Sequence, residues 1–258
     1  MLDERLVKAL HVEALSKQDL HAEREPHLLF QASTIEALLD GAYDGDVTFR
    51  ELGEHGDLGL GTFDACDGEM IALEGTFLRA ALDGSIHPVE PERRTPFAVL
   101  TYFEPTHQFE LAGPLDDARF VQSLDTRLGD LSTAHALRID GHFDSVRARS
   151  VPRQQKPYPP MTEVVRNQRA FEFRDVEGTM VGFRFPDYAK GLNVPGYHLH
   201  FVTADRTRGG HVLACATRDV TVQVDDEVDL HVELPAGVEL TSPDATSDAA
   251  LRRVEQGG

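Results

Sequence analysis

Alternating apolar and polar positions predict that most of this chain forms β-strands. Residues 28–32 read as a first strand, and residues 97–103 are apolar enough to lie inside a sheet. Residues 228–234 alternate cleanly, which predicts a strand with one exposed face. Two further pairs of apolar runs flank Asp67-Gly68 and Asp83-Gly84, dipeptides that are typical of hairpin turns. The pattern therefore favours a β-rich protein.

Helical spacing is clearest in two stretches of the first half, and residues 251–255 are slightly amphipathic. Ser33 and Glu36 have the spacing of a capping box, which satisfies open backbone donors, and the apolar positions that follow share one face before Gly41. Residues 114–128 carry apolar side chains at helix spacing and predict a helix that packs on the core. Residues 151–161 contain four prolines, so we expect a linker or a covering strap there.

Composition and charge narrow the class of protein. The hydrophobic content of 41% fits a globular chain, and no apolar run approaches the roughly 20 residues that a membrane helix needs. The formal net charge of -19 argues against nucleic acid or an anionic membrane as a partner. The N-terminus shows no secretory pattern, and Cys66 and Cys215 are expected to be reduced and buried. We therefore expect a cytoplasmic protein.

The acidic, lysine-poor composition has two possible explanations. The chain contains only four lysines, and an acidic, lysine-poor surface suits solubility at high salt. An ordinary acidic cytoplasmic protein fits the composition equally well.

The strongest indication of chemistry lies in residues 196–213. His198 and His200 share one face of a predicted strand, because side chains two apart point the same way. If residues 205–210 turn the chain, His211 lies opposite His200, where cross-strand Cβ atoms are about 4.5–5.5 Å apart. Three imidazoles can then converge on one zinc ion, and a fourth position left open is typical of catalytic zinc. The alternative for such a His-x-His pair is a half-exposed polar face without a metal.

Several short motifs also carry a family resemblance. They are Gly196-Tyr197-His198-Leu199-His200-Phe201 with the trailing Gly209-Gly210-His211, His55-Gly56-Asp57-Leu58-Gly59-Leu60-Gly61-Thr62-Phe63, Asp67-Gly68-Glu69-Met70-Ile71, Gln31-Ala32-Ser33-Thr34 and Lys156-Pro157-Tyr158. In these motifs the chain resembles the acetolactate decarboxylase family over most of its length.

The resemblance implies a set of site residues and an assembly. Its zinc ligands would be His198, His200 and His211; its catalytic residues would be Glu69, Arg149 and Glu255; and Thr62 would line the substrate site. Glu233 or Glu239 could be mistaken for the tail carboxylate Glu255. The resemblance also implies a homodimer joined through the N-terminal sheet.

The implied reaction is the zinc-dependent decarboxylation of 2-acetolactate to (R)-acetoin and CO₂. Acetolactate is a β-keto acid, so the electron pair released with CO₂ moves toward its own ketone oxygen, and no organic cofactor is required. Zinc would stabilise the enediolate as a Lewis acid. Arg149 would hold the carboxylate, and Glu69, Glu255 or Arg149 would deliver the final proton.

Together these inferences predict an α+β fold with four segments. Residues 1–27 form an N-terminal arm, and residues 28–150 form a mixed-sheet half with two helices. Residues 151–240 form a β-rich, barrel-like half that carries the metal site. Residues 241–258 form a tail that closes over the site, brings in Glu255 and buries little core.

Two other classes of function stay open from the residues alone. One is a non-haem iron oxygenase or isomerase on a small β-barrel, which usually adds a carboxylate ligand. The other is a metal-binding or ligand-binding module without enzymatic activity. The remaining histidines are expected to be structural or exposed, with His55 and His142 the next candidates for a role.

Overall fold

The chain folds into β-sheets with a few short helices. The computed structural model describes residues 10–15, 25–235 and 245–256. The strands are β1 (His11–Leu15), β2 (Leu28–Ala32), β3 (Val47–Thr48), β4 (Leu58–Thr62), β5 (Glu69–Leu73), β6 (Thr76–Ala80), β7 (Ile86–Pro88), β8 (Arg94–Thr95), β9 (Ala98–Thr101), β10 (His107–Leu115), β11 (Ala134–Ser150), β12 (Arg169–Phe185), β13 (Gly196–Thr203), β14 (Gly209–Glu227) and β15 (Asp229–Glu233). The α-helices are α1 (Ile35–Leu39), α2 (Phe49–Leu52), α3 (Asp117–Leu128), α4 (Met161–Val164) and α5 (Ala245–Gln256).

An eight-stranded mixed sheet contains most of the first half of the chain. Its order is β1-β15-β2-β9-β4-β5-β6-β7, and β15 runs parallel to both of its neighbours while the other pairs are antiparallel. The strand predicted at residues 28–32 is confirmed as β2, and the apolar stretch at 97–103 contains the buried central strand β9. The Asp67-Gly68 and Asp83-Gly84 hairpins are confirmed as β4–β5 and β6–β7.

A five-stranded antiparallel sheet contains most of the second half. Its order is β10-β14-β11-β12-β13, and β13 also pairs with β14. The extra pairing closes β14, β11, β12 and β13 on themselves. The hairpin predicted for the histidine segment is confirmed, because His200 lies opposite His211 in the β13–β14 register.

The main hydrophobic core joins both sheets and several helices. It combines Leu60 and Val99 of the first sheet with Val181 and Phe183 of the second, and all four are nearly inaccessible to solvent. A second cluster packs helix α3, through buried residues such as Phe120, against the five-stranded sheet. This arrangement leaves the face of β13 and β14 that carries His198, His200 and His211 between the two sheets.

Three local predictions were wrong in detail. Ser33 does not cap helix α1: it adopts a φ of 62°, and the Thr34 hydroxyl accepts the hydrogen bond from the Ala37 amide instead. The apolar pattern of the sequence also predicts a strand at residues 47–49, but this strand stops at Thr48, which caps helix α2 in a capping box with Glu51. Residues 114 and 115 belong to β10 rather than to helix α3, because the helix begins after the Asp116 cap.

Strand pairing also crosses the predicted segment boundaries. Strand β11, from the predicted 28–150 segment, lies between β14 and β12 in the second sheet, and β15, from the 151–240 segment, lies in the first. The predicted arm contains β1, which pairs with β15, and the predicted tail contains helix α5. Residues 1–9, 16–24, 236–244 and 257–258 lie outside the described residues. None of the described helices is long and apolar enough to cross a membrane.

Candidate metal centre

Three buried histidines converge where β13 and β14 pair. His198 and His200 lie on one face of β13, and His211 lies opposite His200 on β14. One ring nitrogen of each lies within 4.8 Å of the others, and all three side chains are buried. Gly182 lets β12 approach β13 closely beside His198, because a Cβ atom there would lie 2.0 Å from the His198 carbonyl oxygen. The predicted histidine cluster is therefore present.

The protonation state of these rings suits metal binding. The His200 Nδ1–H donates to the Met70 carbonyl oxygen at 2.7 Å, which leaves the Nε2 lone pair free. Burial lowers the pKa of His198 to about 3 and lowers the pKa values of His200 and His211 well below their ordinary range. All three rings are thus neutral at physiological pH, which is the form that binds metals.

Two further observations fit a metal ion among these rings. His200 Nε2 and His211 Nδ1 are 3.3 Å apart, about the separation of two nitrogens that share a tetrahedral zinc at about 2.05 Å each. His198 Nδ1 and His211 Nε2 are buried and have no hydrogen-bond partner among the described residues. Buried polar atoms normally find a partner, so the orphaned His198 Nδ1 fits a metal ligand, whereas His211 Nε2, on the other side of its ring from Nδ1, lies toward Glu255.

An ion pair of Glu69 and Arg149 borders the histidines. Glu69 begins β5, and Arg149 lies opposite His211 in the β11–β14 register. Arg149 Nη1 donates to Glu69 Oε1 at 2.6 Å, and Glu69 Oε2 lies 3.7 Å from His200 Nε2. Burial raises the pKa of Glu69 to about 7, opposed by the charge of Arg149 and reinforced by that of Glu255. Arg149 Nε is buried without a hydrogen-bond partner in the described part of the chain.

Helix α5 brings Glu255 to the opposite side of the cluster. Its Oε2 atom lies 3.6 Å from His211 Nε2, and its side chain is 15% exposed. Burial raises the pKa of Glu255 to about 7, with Arg149 opposing the shift. Of the two carboxylates that could have been confused with it, Glu233 is placed in β15 and does not line the cavity, and Glu239 lies outside the described residues.

A small cavity of about 40 Å³ brings all seven predicted site residues together. Thr62 lines it, but its hydroxyl donates to the Gly68 carbonyl at 2.8 Å and so supports the turn that precedes Glu69. The polar part of its lining consists of the histidines, Glu69, Arg149, Glu255 and Thr62. The remaining lining, the apolar wall, comprises mainly Ile35, Leu38, Leu39, Phe97, Val151, Met161 and Val254.

Sequence reasoning missed the apolar wall. Its residues come chiefly from α1, α4 and α5, three helices that contact one another above the histidines. Their apolar spacing indicates only that each helix has a buried face, and it does not indicate what that face covers. No signal in the local sequence distinguishes this wall from ordinary core.

The other two histidine candidates lie elsewhere. His55 stacks on Phe30 with ring centroids 4.0 Å apart, and His142 Nε2 lies 2.8 Å from Asp175 Oδ1. Neither lines the cavity. Cys66 and Cys215 are both buried and free, as expected.

Most of the chain matches known proteins in sequence. Residues 29–244 match the family model described as alpha-acetolactate decarboxylase. The alpha-acetolactate decarboxylase of Methylococcus capsulatus is 50% identical over 211 residues, which cover 82% of this chain and 81% of the relative. That of Methanosarcina mazei is 46% identical over 209 residues, covering 81% of this chain and 73% of the relative.

Solved structures give the same result at the level of the fold. The crystal structure of alpha-acetolactate decarboxylase from Bacillus subtilis strain 168 matches with a TM-score of 0.84 and 38% identity, covering 90% of this chain and all of that one. A Staphylococcus aureus protein of unknown function, described as similar to alpha-acetolactate decarboxylase, matches with a TM-score of 0.82 and 26% identity, with 90% of this chain and all of that one covered. The chain thus belongs to the alpha-acetolactate decarboxylase family of carboxy-lyases.

Proposed function

We propose that this protein is a zinc-dependent enzyme that decarboxylates 2-acetolactate to (R)-acetoin and CO₂. The observation that carries the proposal is the convergence of three neutral histidines, a buried arginine and two carboxyl groups on one cavity. His198, His200 and His211 would hold the ion. A bound zinc would act as a Lewis acid toward the ketone and hydroxyl oxygens of the substrate.

Arg149 is suited to hold the substrate carboxylate before it leaves. Its Nη1 atom is engaged by Glu69, whereas its buried Nε–H has no partner among the described residues and can donate to a carboxylate oxygen. Because the carboxylate is lost during the reaction, this contact orients the substrate more than it stabilises the transition state. The apolar wall of the same cavity suits the two methyl groups of acetolactate.

Glu69 and Glu255 are the candidates for proton delivery after CO₂ leaves. Burial raises the pKa of each to about 7, so either carboxyl group can carry a proton at physiological pH. They lie beside different histidines, Glu69 near His200 and Glu255 near His211. Delivery from only one side would produce a single enantiomer of acetoin.

The proposal is tested by an acetoin colour assay and by metal analysis of the purified protein. We expect acetoin from 2-acetolactate and about one zinc per chain, with the zinc lost when His198 and His200 are both replaced by alanine. Full metal occupancy in that double variant would exclude the site. Iron in place of zinc, bound with a carboxylate ligand, would favour the oxygenase or isomerase alternative, and metal without acetoin formation would favour a binding module.

We further propose a cytoplasmic homodimer without nucleic-acid or membrane partners. The net charge of -19 supports the absence of polyanionic partners, and the family resemblance supports the dimer. Light scattering coupled to size-exclusion chromatography would decide the oligomeric state, and a monomer at micromolar concentration would exclude the dimer.

We also propose that the chain divides into segments 28–150 and 151–240 and that the tail closes over the site.

A further inference from the structure

Asp67 lies at the centre of an ionic cluster outside the metal cavity. Its carboxylate accepts hydrogen bonds from Arg79 Nη1 at 3.2 Å and from Arg93 Nη2, and it lies 3.8 Å from Arg153 Nη1. Arg79 Nη1 also lies 3.4 Å from the Asp67 carbonyl oxygen. Arg93 is itself held over the Phe63 ring, with its guanidinium carbon 4.4 Å from the ring centroid.

The turn that contains Asp67 has an unfavourable backbone conformation. Ala65 and Cys66 adopt positive φ values of 59° and 56°, which residues with a Cβ atom rarely do. Gly68 has a φ of 96°, and a Cβ atom there would lie 2.5 Å from the Ala80 carbonyl oxygen. Such a conformation persists when surrounding contacts determine it. The contacts of Asp67 with the surrounding arginines can determine the conformation of this turn.

The cluster joins the two segments that supply Glu69 and Arg149. Asp67 precedes Glu69 by two residues, and Arg153 follows Arg149 by four. The Gln154 amide, beside Arg153, donates to the Ala65 carbonyl oxygen at 2.7 Å. The same two segments therefore meet inside the cavity, through the 2.6 Å contact of Arg149 with Glu69, and outside it, around Asp67.

We propose that Asp67 is a positioning residue for the Glu69–Arg149 pair. Through Arg79 and Arg93 it holds the turn in the conformation that places the Glu69 carboxyl group against Arg149 and His200. Asp67 does not line the cavity and would not touch substrate. The inference rests on the proposed function only in assuming that Glu69 acts on the substrate.

The central variant is Asp67→Asn, which preserves size and removes the charge that holds the arginines. We expect kcat to fall about 10- to 100-fold, because displacing a reacting group by about 1 Å costs rates of this order. The Michaelis constant should change much less, and zinc content should not change. Asp64→Asn is the matched control: Asp64 lies in the same turn, 3.7 Å from Arg153, but has no contact with Arg79 or Arg93. We expect Asp64→Asn to keep kcat.

A double-mutant cycle separates positioning from general damage. If Asp67 acts through Glu69, then Asp67→Asn causes no further loss of kcat when it is added to Glu69→Gln. An unchanged kcat in Asp67→Asn would overturn the proposal, and so would the same loss in both backgrounds. Should Asp67→Asn fail to fold, the pair Arg79→Lys and Arg93→Lys retains the positive charges but loses the guanidinium hydrogen bonds to the Asp67 carboxylate, and the same cycle applies.

A readout independent of turnover completes the test. Amide hydrogen exchange of residues 63–69 should be faster in Asp67→Asn than in wild type, and unchanged in Asp64→Asn. Equal exchange in all three proteins would overturn the proposal even if the wild type makes no acetoin. Absence of acetoin from the wild type would count against the proposed function alone, since the exchange measurement still judges the positioning role.

Discussion

At the residue scale, the histidines could be predicted from spacing and the partner of Glu69 could not. His198, His200 and His211 lie within one hairpin, so strand periodicity and a turn are enough to bring them together. Glu69 and Arg149 are 80 residues apart, and their contact depends on how β5 and β11 pack. Only the family resemblance connected them, since in isolation each has the sequence character of a surface residue.

Replacing Glu69 with glutamine tests its chemical role. The amide can still accept the hydrogen bond from Arg149 but cannot deliver a proton, so we expect the fold and zinc content to survive. Acetoin formation should fall on the order of 10²- to 10⁴-fold, the usual range for a positioned acid or base. Steady-state kinetics and metal analysis of the same preparation measure both.

Glu74→Gln provides the control for this change. Glu74 follows the other end of β5, is 51% exposed and pairs with Arg138 and Arg206 away from the cavity. Turnover should be preserved in this variant. Near-normal turnover in Glu69→Gln would remove Glu69 from the proton-delivery step.

At the element scale, the local sequence predicted the strands and hairpins correctly. It did not predict the cap of helix α1 or the packing of the C-terminal helix. The β4–β5 and β13–β14 hairpins match the predicted turns because their signals are local. Helix α1 has the predicted apolar face, yet Thr34 rather than Ser33 caps it, since the two residues offer equivalent hydroxyl groups. Helix α5 was expected only as a weakly amphipathic tail that buries little core, and this expectation was wrong. Leu251 and Val254 are both buried in the main core.

If Glu255 acts as proposed, helix α5 contributes to both stability and catalysis, and two variants separate these contributions. Deleting residues 251–258 should remove most acetoin formation and also lower Tm on the order of 10 °C, because two buried aliphatic side chains are lost. Glu255→Gln in the full chain should reduce turnover on the order of 10²- to 10⁴-fold and leave Tm nearly unchanged. Calorimetry and kinetics on both proteins test this. A truncated protein that makes acetoin at the full rate would exclude Glu255 from the site.

At the scale of the whole molecule, the mostly β character could be predicted and the strand order could not. Local pattern identifies β2 and β15 as strands, but nothing in either indicates that they pair in parallel, about 200 residues apart. Such pairing is decided by which sheet edges remain open after the local hairpins form. The crossing of β11 and β15 between the predicted halves has the same origin.

A buried acidic group lies where the chain passes from β14 to β15. Glu227 is fully buried, and neither of its carboxyl oxygens has a hydrogen-bond partner among the described residues. Burial raises its pKa well above the ordinary range, and the charges of Asp225 and Asp226 add to the shift. The neighbouring Asp225 accepts a hydrogen bond from the Glu104 amide and lies 2.5 Å from His27 Nδ1.

This raised pKa predicts how stability depends on pH. The unfolded pKa of glutamate is about 4.3, so the folded state binds the Glu227 proton more tightly than the unfolded state does. The contribution of Glu227 to stability is therefore greatest below that value and is lost as pH rises toward the folded pKa. Glutamine does not titrate, so Glu227→Gln should gain stability relative to wild type between pH 5 and pH 8.

Urea unfolding of both proteins at several pH values measures this difference. Glu54→Gln is a suitable control because Glu54 is exposed. The free energy of unfolding of Glu54→Gln relative to wild type should change little over the same pH range. The free energies of unfolding of Glu227→Gln and wild type are compared at each pH. If their difference does not vary with pH, Glu227 has the same pKa in the folded and unfolded chains, which would contradict the prediction.

The parallel insertion of β15 between β1 and β2 has a consequence for synthesis. A ribosome makes β2 roughly 200 residues before it makes β15, an interval of about 10–40 s at 5–20 residues per second. Throughout that time one edge of β2 lacks its final partner and can pair with a strand of another nascent chain. Completion of the first sheet is thus a late step of synthesis, which pulse-labelled hydrogen exchange at the β2 amides would time. Slower translation should therefore lengthen the period in which this edge of β2 is open to a strand of another chain.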